Sequence, residues 1–297
     1  ITLDGLGYDF QAVGEYILVE TEAGAANPFQ VQVRFEPLPG SDLVSVTTRM
    51  AVEVNGHTIE LDALGSDTLL IDGAAPDAAA LALGAIDVDG DGTSDVFFNE
   101  ALNEFTVVLN DENEQLFVKN MDGALNICVF LADSTDGNAG NVRGLMGDGD
   151  GDGTADDLAL RDGTVLAQPV DFDTIYGDYA DSWRLDGSTS DKTALFSNTV
   201  TFPEGFPAAA LTLDDLPADL RAAAEAAAIA AGLDPAEPEI FNAAVLDFAL
   251  TGDSNFFAGA LGLAAEPTAG TEPANAPALP ATVGVTAGEG SIVEGDA

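Results

Sequence analysis

Between Phe29 and Glu36 the chain reads FQVQVRFE, in which Phe29, Val31, Val33 and Phe35 alternate with Gln30, Gln32, Arg34 and Glu36. Side chains of extended backbone point to opposite sides in turn, so this period of two predicts a strand with one buried face and one wet face. Segments of similar length recur as EYILVE, LVSVTTR, AVEVNG, HTIELD, TLLID, DVFFN, FTVVLN, QLFVK and LNICVFL, separated by turns rich in Gly, Asn and Asp. Many short strands at such intervals predict a mainly β fold class, an antiparallel β-sandwich over residues 1–200.

The texture changes after about residue 208. LPADLRAAAEAAAIAAG is alanine-rich, with Pro217 at a helix start and Gly232 at a stop. DPAEPEIFNAAVLDFAL predicts a second helix, with Asp234 as N-cap, Pro235 at the first helical position and Glu237 as the capping-box partner. Its stripe of Ile240, Phe241, Ala244, Val245 and Phe248 is expected to pack against the sandwich rather than to bind a partner. These segments make a small helical module over 201–263. Residues 264–297 are Pro, Ala and Gly with few large apolar groups, the composition of a flexible linker or tail.

Charge narrows the partners. Eight Lys and Arg face 52 Asp and Glu, a formal net charge of -44, which repels nucleic acid and anionic membrane surfaces alike. The same charge suits a salty or calcium-rich medium, where repulsion is screened and acidic sites are filled. No apolar run is long enough to span a bilayer, so membrane insertion is not expected. No signal peptide is visible, and a chain that opens on Ile1 reads as a piece or processed product of a larger protein.

Residues that commonly carry catalysis are scarce. Cys128 is the single cysteine, set inside LNICVFL; it allows no intrachain disulfide and reads as a buried small hydrophobe. His57, the one histidine, sits in VNGHTIEL and reads as a hairpin residue. With one histidine and no nucleophile elbow, a Ser-His-Asp hydrolase is hard to assemble. Acids are everywhere, and nothing marks one pair for a glycosidase. The chain is therefore not expected to be an enzyme. Trp183 in DSWRL reads as a core anchor.

The acids do show order in two places. GDGDGDGTADD places Asp148, Asp150 and Asp152 at every second position, then Gly153, Thr154, Asp156 and Asp157. DVDGDGTSD repeats the grammar with Asp87, Asp89, Asp91, Gly92, Thr93 and Asp95. A calcium loop needs inward side chains at its first, third, fifth and ninth positions, a glycine at the sixth and a carbonyl at the seventh, supplied here by Thr154 and Thr93. Carboxylates converging without a cation repel one another, so both loops are expected to bind Ca²⁺, with Asp157 and Asp162 as further ligands. Phe98 and Ala159 stand where an EF-hand has its twelfth-position glutamate, which predicts modest affinity, on the order of 10⁻⁴ to 10⁻³ M. Zinc is disfavoured, because thiolate and imidazole ligands are nearly absent.

Several segments together resemble a von Willebrand factor type D domain. ITLDGLGYDFQAVGEYILVE resembles that family's opening, a T-x-D-G followed by Y-x-F, a glycine and an apolar strand, and FQVQVRF resembles its second strand pair. VRGLMGDGDGDGTADDLALRDG is similar to the G-L-C-G-N-x-N-G-x-x-x-D-D segment, and YADSWRL to the closing F-x-x-S-W. The match runs in order from about Ile1 to Leu185. Met146 replaces the cysteine of G-L-C-G, so the covalent polymerisation of mucins and clotting factor is not implied. The family often carries G-D-P-H just before T-x-D-G, and in some members that Asp-Pro bond cleaves itself. What the resemblance implies is a cysteine-poor, bacterial-type D domain in a large secreted calcium-binding protein. The expected function is a calcium-stabilised extracellular structural or adhesive module, on a cell surface or in a matrix, whose partners are calcium, other surface or matrix components, or further copies of itself. The alternatives are a carbohydrate- or lipid-binding module, which needs exposed Trp or Tyr, and an autocatalytically processed secreted domain.

Overall fold

The computed structural model describes residues 2–25, 27–99, 101–110, 114–121, 123–132, 137–151, 155–185, 193–252, 254, 256–257 and 260–261. The expected tail, 264–297, lies outside the described residues. The described residues form two compact units that divide between Ala208 and Ala209.

In the first unit the alternating segments become antiparallel strands. β1 (Gly14–Thr21), β2 (Gln30–Pro37), β3 (Ser45–Val54), β4 (His57–Asp62), β5 (Leu69–Ile71) and β11 (Val142–Arg143) form one sheet in the order β11-β1-β2-β3-β4-β5. β6 (Ala85–Ile86), β7 (Val96–Asn99), β8 (Glu104–Val108), β9 (Gln115–Asn120) and β10 (Leu125–Phe130) form the other in the order β10-β9-β8-β7-β6. LVSVTTR and AVEVNG prove to be one long strand, β3, since nothing between Arg49 and Ala51 breaks extended backbone. The inner faces share one core, with Ile17, Val33, Met50 and Leu61 from the first sheet and Val107, Leu116 and Val118 from the second. Each such burial stabilises the fold by about 1.5–3 kcal/mol.

The outer face of the first sheet departs from expectation. Gln32 and Arg34 alternate with Val31 and Val33 as a wet face should, yet they are 1% and 0% exposed. Residues 193–198 lie across them and supply the partners that water would have supplied. Gln32 Nε2 donates to the Thr193 carbonyl at 3.0 Å, and the Leu195 amide donates to Gln32 Oε1 at 2.8 Å. Arg34 donates to Asn198 Oδ1 and to its carbonyl, pairs with Glu15 at 2.6 Å, and stacks beneath the Phe196 ring. The Ser197 amide donates to Glu60, itself paired with Arg49. Alternation alone cannot foresee a polar face that a later segment covers with matching hydrogen bonds.

Short helices appear where no strand was expected. α1 (Ala78–Leu83) is capped by Asp77, whose side chain accepts from the Ala80 amide, and ends at the left-handed Gly84. The closing segment runs through α2 (Phe172–Thr174), a π-helical turn (Ile175–Tyr179) and α3 (Ala180–Trp183). Trp183 is buried as expected and donates its indole N–H to the Ala159 carbonyl at 3.1 Å.

The second unit holds α4 (Ala218–Ala231), starting after Pro217 and stopping at Gly232 as predicted, and α5 (Pro238–Thr251). The N-cap of α5 is Glu237 rather than Asp234. Pro238 lacks an amide hydrogen and pushes the preceding residue out of helical backbone, so the helix starts there. Asp234 instead closes a turn, accepting from the Ala236 amide. The apolar stripe is covered inside its own unit: Phe241, Ala244 and Val245 pack with Ala224, Ala228 and Leu233, and Phe248 lies 4.6 Å from the ring of Phe257. Its burial therefore does not require the sandwich.

Candidate metal centre

After β11 the chain runs beside β1, with the Leu145 and Met146 amides donating to the Ile17 and Leu18 carbonyls. Gly147 follows in a left-handed conformation, φ 80°, and a Cβ there would collide with the Asp157 carboxylate. Asp148 comes next. A 3₁₀ turn, Ala155–Asp157, brings Asp157 back to the same place, and Leu158 anchors that turn in the core. The third acid comes from the other end of the sequence. The turn opened by Thr2 presents Asp4, whose oxygens accept from the amides of Asp150 at 3.1 Å and Gly151 at 2.8 Å. Asp4, Asp148 and Asp157 each offer an oxygen within 4.8 Å of the others.

The electrostatics of this trio are adverse for bare carboxylates. Asp157 is 3% exposed; its Oδ2 accepts from the Thr2 hydroxyl at 3.1 Å, while its Oδ1 is buried and has no hydrogen-bond partner among the described residues. Burial first, then the Asp4 charge, pushes the Asp157 carboxyl up to about 7. Burial, then Asp150 and Asp4, pushes Asp148 up to about 6. A buried oxygen without a donor, facing two further carboxylates, fits a hard cation with oxygen ligands. No thiolate or imidazole stands in the trio to favour a softer metal.

The second loop, between β6 and β7, brings Asp87, Asp89 and Asp95 within the same 4.8 Å limit. Here the acids are served by their own chain. Asp87 accepts from the Gly90 and Gly92 amides, Asp89 from Asp91, and Asp91 from Thr93. Asp95 is buried, and both its oxygens are partnered, by the Val88 amide at 2.8 Å and by Asn55 Nδ2 at 3.1 Å from the β3–β4 hairpin. The Gly92 amide leads in holding Asp87 below the usual carboxylate range, whereas burial raises Asp95.

Of the sequence-predicted ligands, the structure thus groups Asp148 with Asp157, and Asp87 with Asp89 and Asp95. Asp150, Asp156 and Asp91 are exposed and stand outside both groups, as does Asp162, whose carboxylate accepts from the Thr164 amide; Thr93, expected to offer its carbonyl, donates its amide to Asp91. Asp152 and Thr154 lie outside the described residues. Asp4 was missed. In the sequence TLDG reads only as a family opening, with no spacing that marks a ligand.

Other singled-out residues are structural. His57 opens β4 and its Nδ1 lies 2.8 Å from Asp72 at the surface. That hydrogen bond raises the imidazole above its ordinary range. Cys128 is half-buried on β10, and burial pushes its thiol up. Tyr8, Tyr16, Tyr176 and Tyr179 all join one aromatic cluster around Phe10, so neither they nor Trp183 form an open stacking platform. Every described Lys and Arg is in an ion pair with at least one carboxylate. No described helix is long and apolar enough to cross a membrane. The chain matches no protein-family model, and no curated protein sequence is similar to it.

Proposed function

We propose that the chain is a non-enzymatic, calcium-stapled module of a secreted or cell-surface protein, serving structural or adhesive contact. The observation that carries this reading is the buried, unpartnered Asp157 oxygen facing Asp4 and Asp148. In this reading those three residues hold the ion in the first site, and Asp87, Asp89 and Asp95 hold a second. Calcium accepts many oxygens in flexible geometry, whereas magnesium demands an octahedron and dehydrates reluctantly, so calcium is the better occupant. Modest affinity fits an extracellular setting, where the ion is abundant. The ion takes the place of disulfides that a chain with one cysteine cannot form. The type D resemblance supports the same reading through Asp148 and Asp157 in the glycine-aspartate segment.

Adhesive self-contact follows from charge. At a net charge of -44, copies repel over a range of roughly 10 Å at 0.1 M salt and 3 Å at 1 M. Ions in two loops remove four negative charges and stiffen the loops, which lowers the entropy lost on forming an interface. Calcium titration by calorimetry, with light scattering across a calcium series at low and high NaCl, tests both parts. Binding heat with reversible association is expected. Absence of binding heat removes the calcium reading, and a monomer under every condition removes self-assembly.

A further inference from the structure

The ligand trio joins two parts of the chain that differ in how firmly they are held. Asp148 and Asp157 belong to a loop fastened to β1 by the Leu145 and Met146 amides and anchored in the core by Leu158. Asp4 belongs to residues 2–8, which form neither strand nor helix. That segment lies along the loop through a short series of contacts. The Leu3 amide donates to the Met146 carbonyl at 2.7 Å, and the Tyr8 hydroxyl to the Leu145 carbonyl. Thr2 donates to Asp157, and Asp4 accepts from Asp150 and Gly151, 146 and 147 residues away in sequence. Leu3 is buried beside Gly149, where a Cβ would press on the Leu3 side chain.

Two forces on this segment have opposite signs. The hydrogen bonds and the packing of Leu3, Leu6 and Tyr8 on the core pull it down, while the Asp4 charge pushes against Asp148 and Asp157. A cation shared by the three reverses the second force without touching the first. We infer that the first site is a latch, in which cation binding sets whether residues 2–8 stay docked on the loop; this rests on the calcium reading above. The segment can leave without breaking a strand pair, because the sheet begins at Gly14. A ligand that binds only the docked form lowers the undocked population by the factor 1 + [L]/Kd, and docking strengthens binding by the same coupling. The calcium-dependent element is thus residues 2–8, and the sandwich itself changes little.

Hydrogen exchange on the full chain, beside a calcium titration by calorimetry, tests this. With calcium at a hundredfold excess over its measured Kd, exchange at Leu3, Asp150 and Gly151 should slow by up to about a hundredfold relative to chelator. Exchange in β3 should stay the same in both. Asp4→Asn removes the charge and keeps an acceptor oxygen for one of the two amides. Calcium should slow exchange at its residues 2–8 far less than at those of the wild type. Binding heat with unchanged exchange at residues 2–8, or an equal slowing in β3, overturns the latch and leaves the calcium reading standing. No binding heat overturns both.

Discussion

The two aspartate-glycine loops share one sequence grammar and solve different problems. In the Asp87 loop, Asp87, Asp89 and Asp91 close turns on amides of the same loop, and Asn55 reaches in from the β3–β4 hairpin to hold Asp95. In the Asp148 loop the essential partners come from far away: Thr2 and Asp4 reach it from the start of the chain, and a buried oxygen of Asp157 still lacks a donor. The first arrangement satisfies its carboxylates by local hydrogen bonds. The second leaves a deficit that a cation can fill. Spacing therefore nominates a loop, and what the rest of the fold brings to it decides how much an ion adds.

The largest expected effect separates the two directly. Calcium at a hundredfold excess over Kd should stabilise the first unit by roughly 2.7 kcal/mol, seen as about 5–10 °C in the melting temperature, with magnesium giving much less. Asp157→Asn should remove most of that gain, and Asp89→Asn should leave about two thirds or more. Scanning calorimetry that shows equal losses for the two variants would erase the distinction between the loops.

Next in size is Asn55→Ala. It strands Asp95 Oδ1 in a buried position, which should cost about 1–2 kcal/mol in chelator and less in calcium, where an ion takes up the oxygen. Urea unfolding in the two media measures the pair, and an effect of the same size in both would argue against an ion at Asp95.

A smaller effect depends on pH. Because the Asp157 carboxyl is raised from 3.8 to about 7, the folded metal-free chain keeps a proton that the unfolded chain has released. That contribution to stability is full below about pH 4 and is lost as pH rises toward 7. Asp157→Asn should flatten this slope in chelator by on the order of 1 kcal/mol. In the other loop Asp87 is lowered and Asp95 raised, so their slopes have opposite signs, and Asp95→Asn should remove the falling slope and leave the rising one of Asp87. Urea midpoints at pH 5 and 7.5 decide this, and equal slopes in wild type and Asp157→Asn would remove Asp157 as the source. The smallest effect belongs to Asp91→Ala, an exposed turn acid outside the group, which should shift stability by less than about 0.5 kcal/mol and leave calcium binding heat intact.

How much of this the sequence discloses follows from the range of each signal. Strands of four or more residues were visible because alternation is local, whereas β6 and β11, at two residues each, have no period to read. The Pro217 and Gly232 limits of α4 were legible for the same reason, as chemistry acting on adjacent backbone. α1 had an Asp77 cap and a Gly84 stop within eight residues and went unnoticed for want of an apolar stripe. The site divides along the same line: Asp148 and Asp157 share a motif, whereas Asp4 joins them by folding alone. Gln32 and Arg34 misled in the opposite sense, since their local pattern is that of a wet face.

That covered polar face has a consequence for how the chain can drift. Surface acids can exchange Asp for Glu, or move a position, with little effect. Arg34 cannot change alone, because its guanidinium serves Glu15 through Nε and Nη2 and Asn198 through Nη1 and Nη2, a fork that lysine does not reproduce. Gln32 and Glu60 are bound in the same way to backbone atoms of residues 193–197. Relatives should therefore scatter widely in their acids and yet keep positions 15, 32, 34, 60 and 198 together, or replace them as a set. Shared ancestry would be written in those few hidden polar residues, more durably than in the acidic surface that dominates the composition.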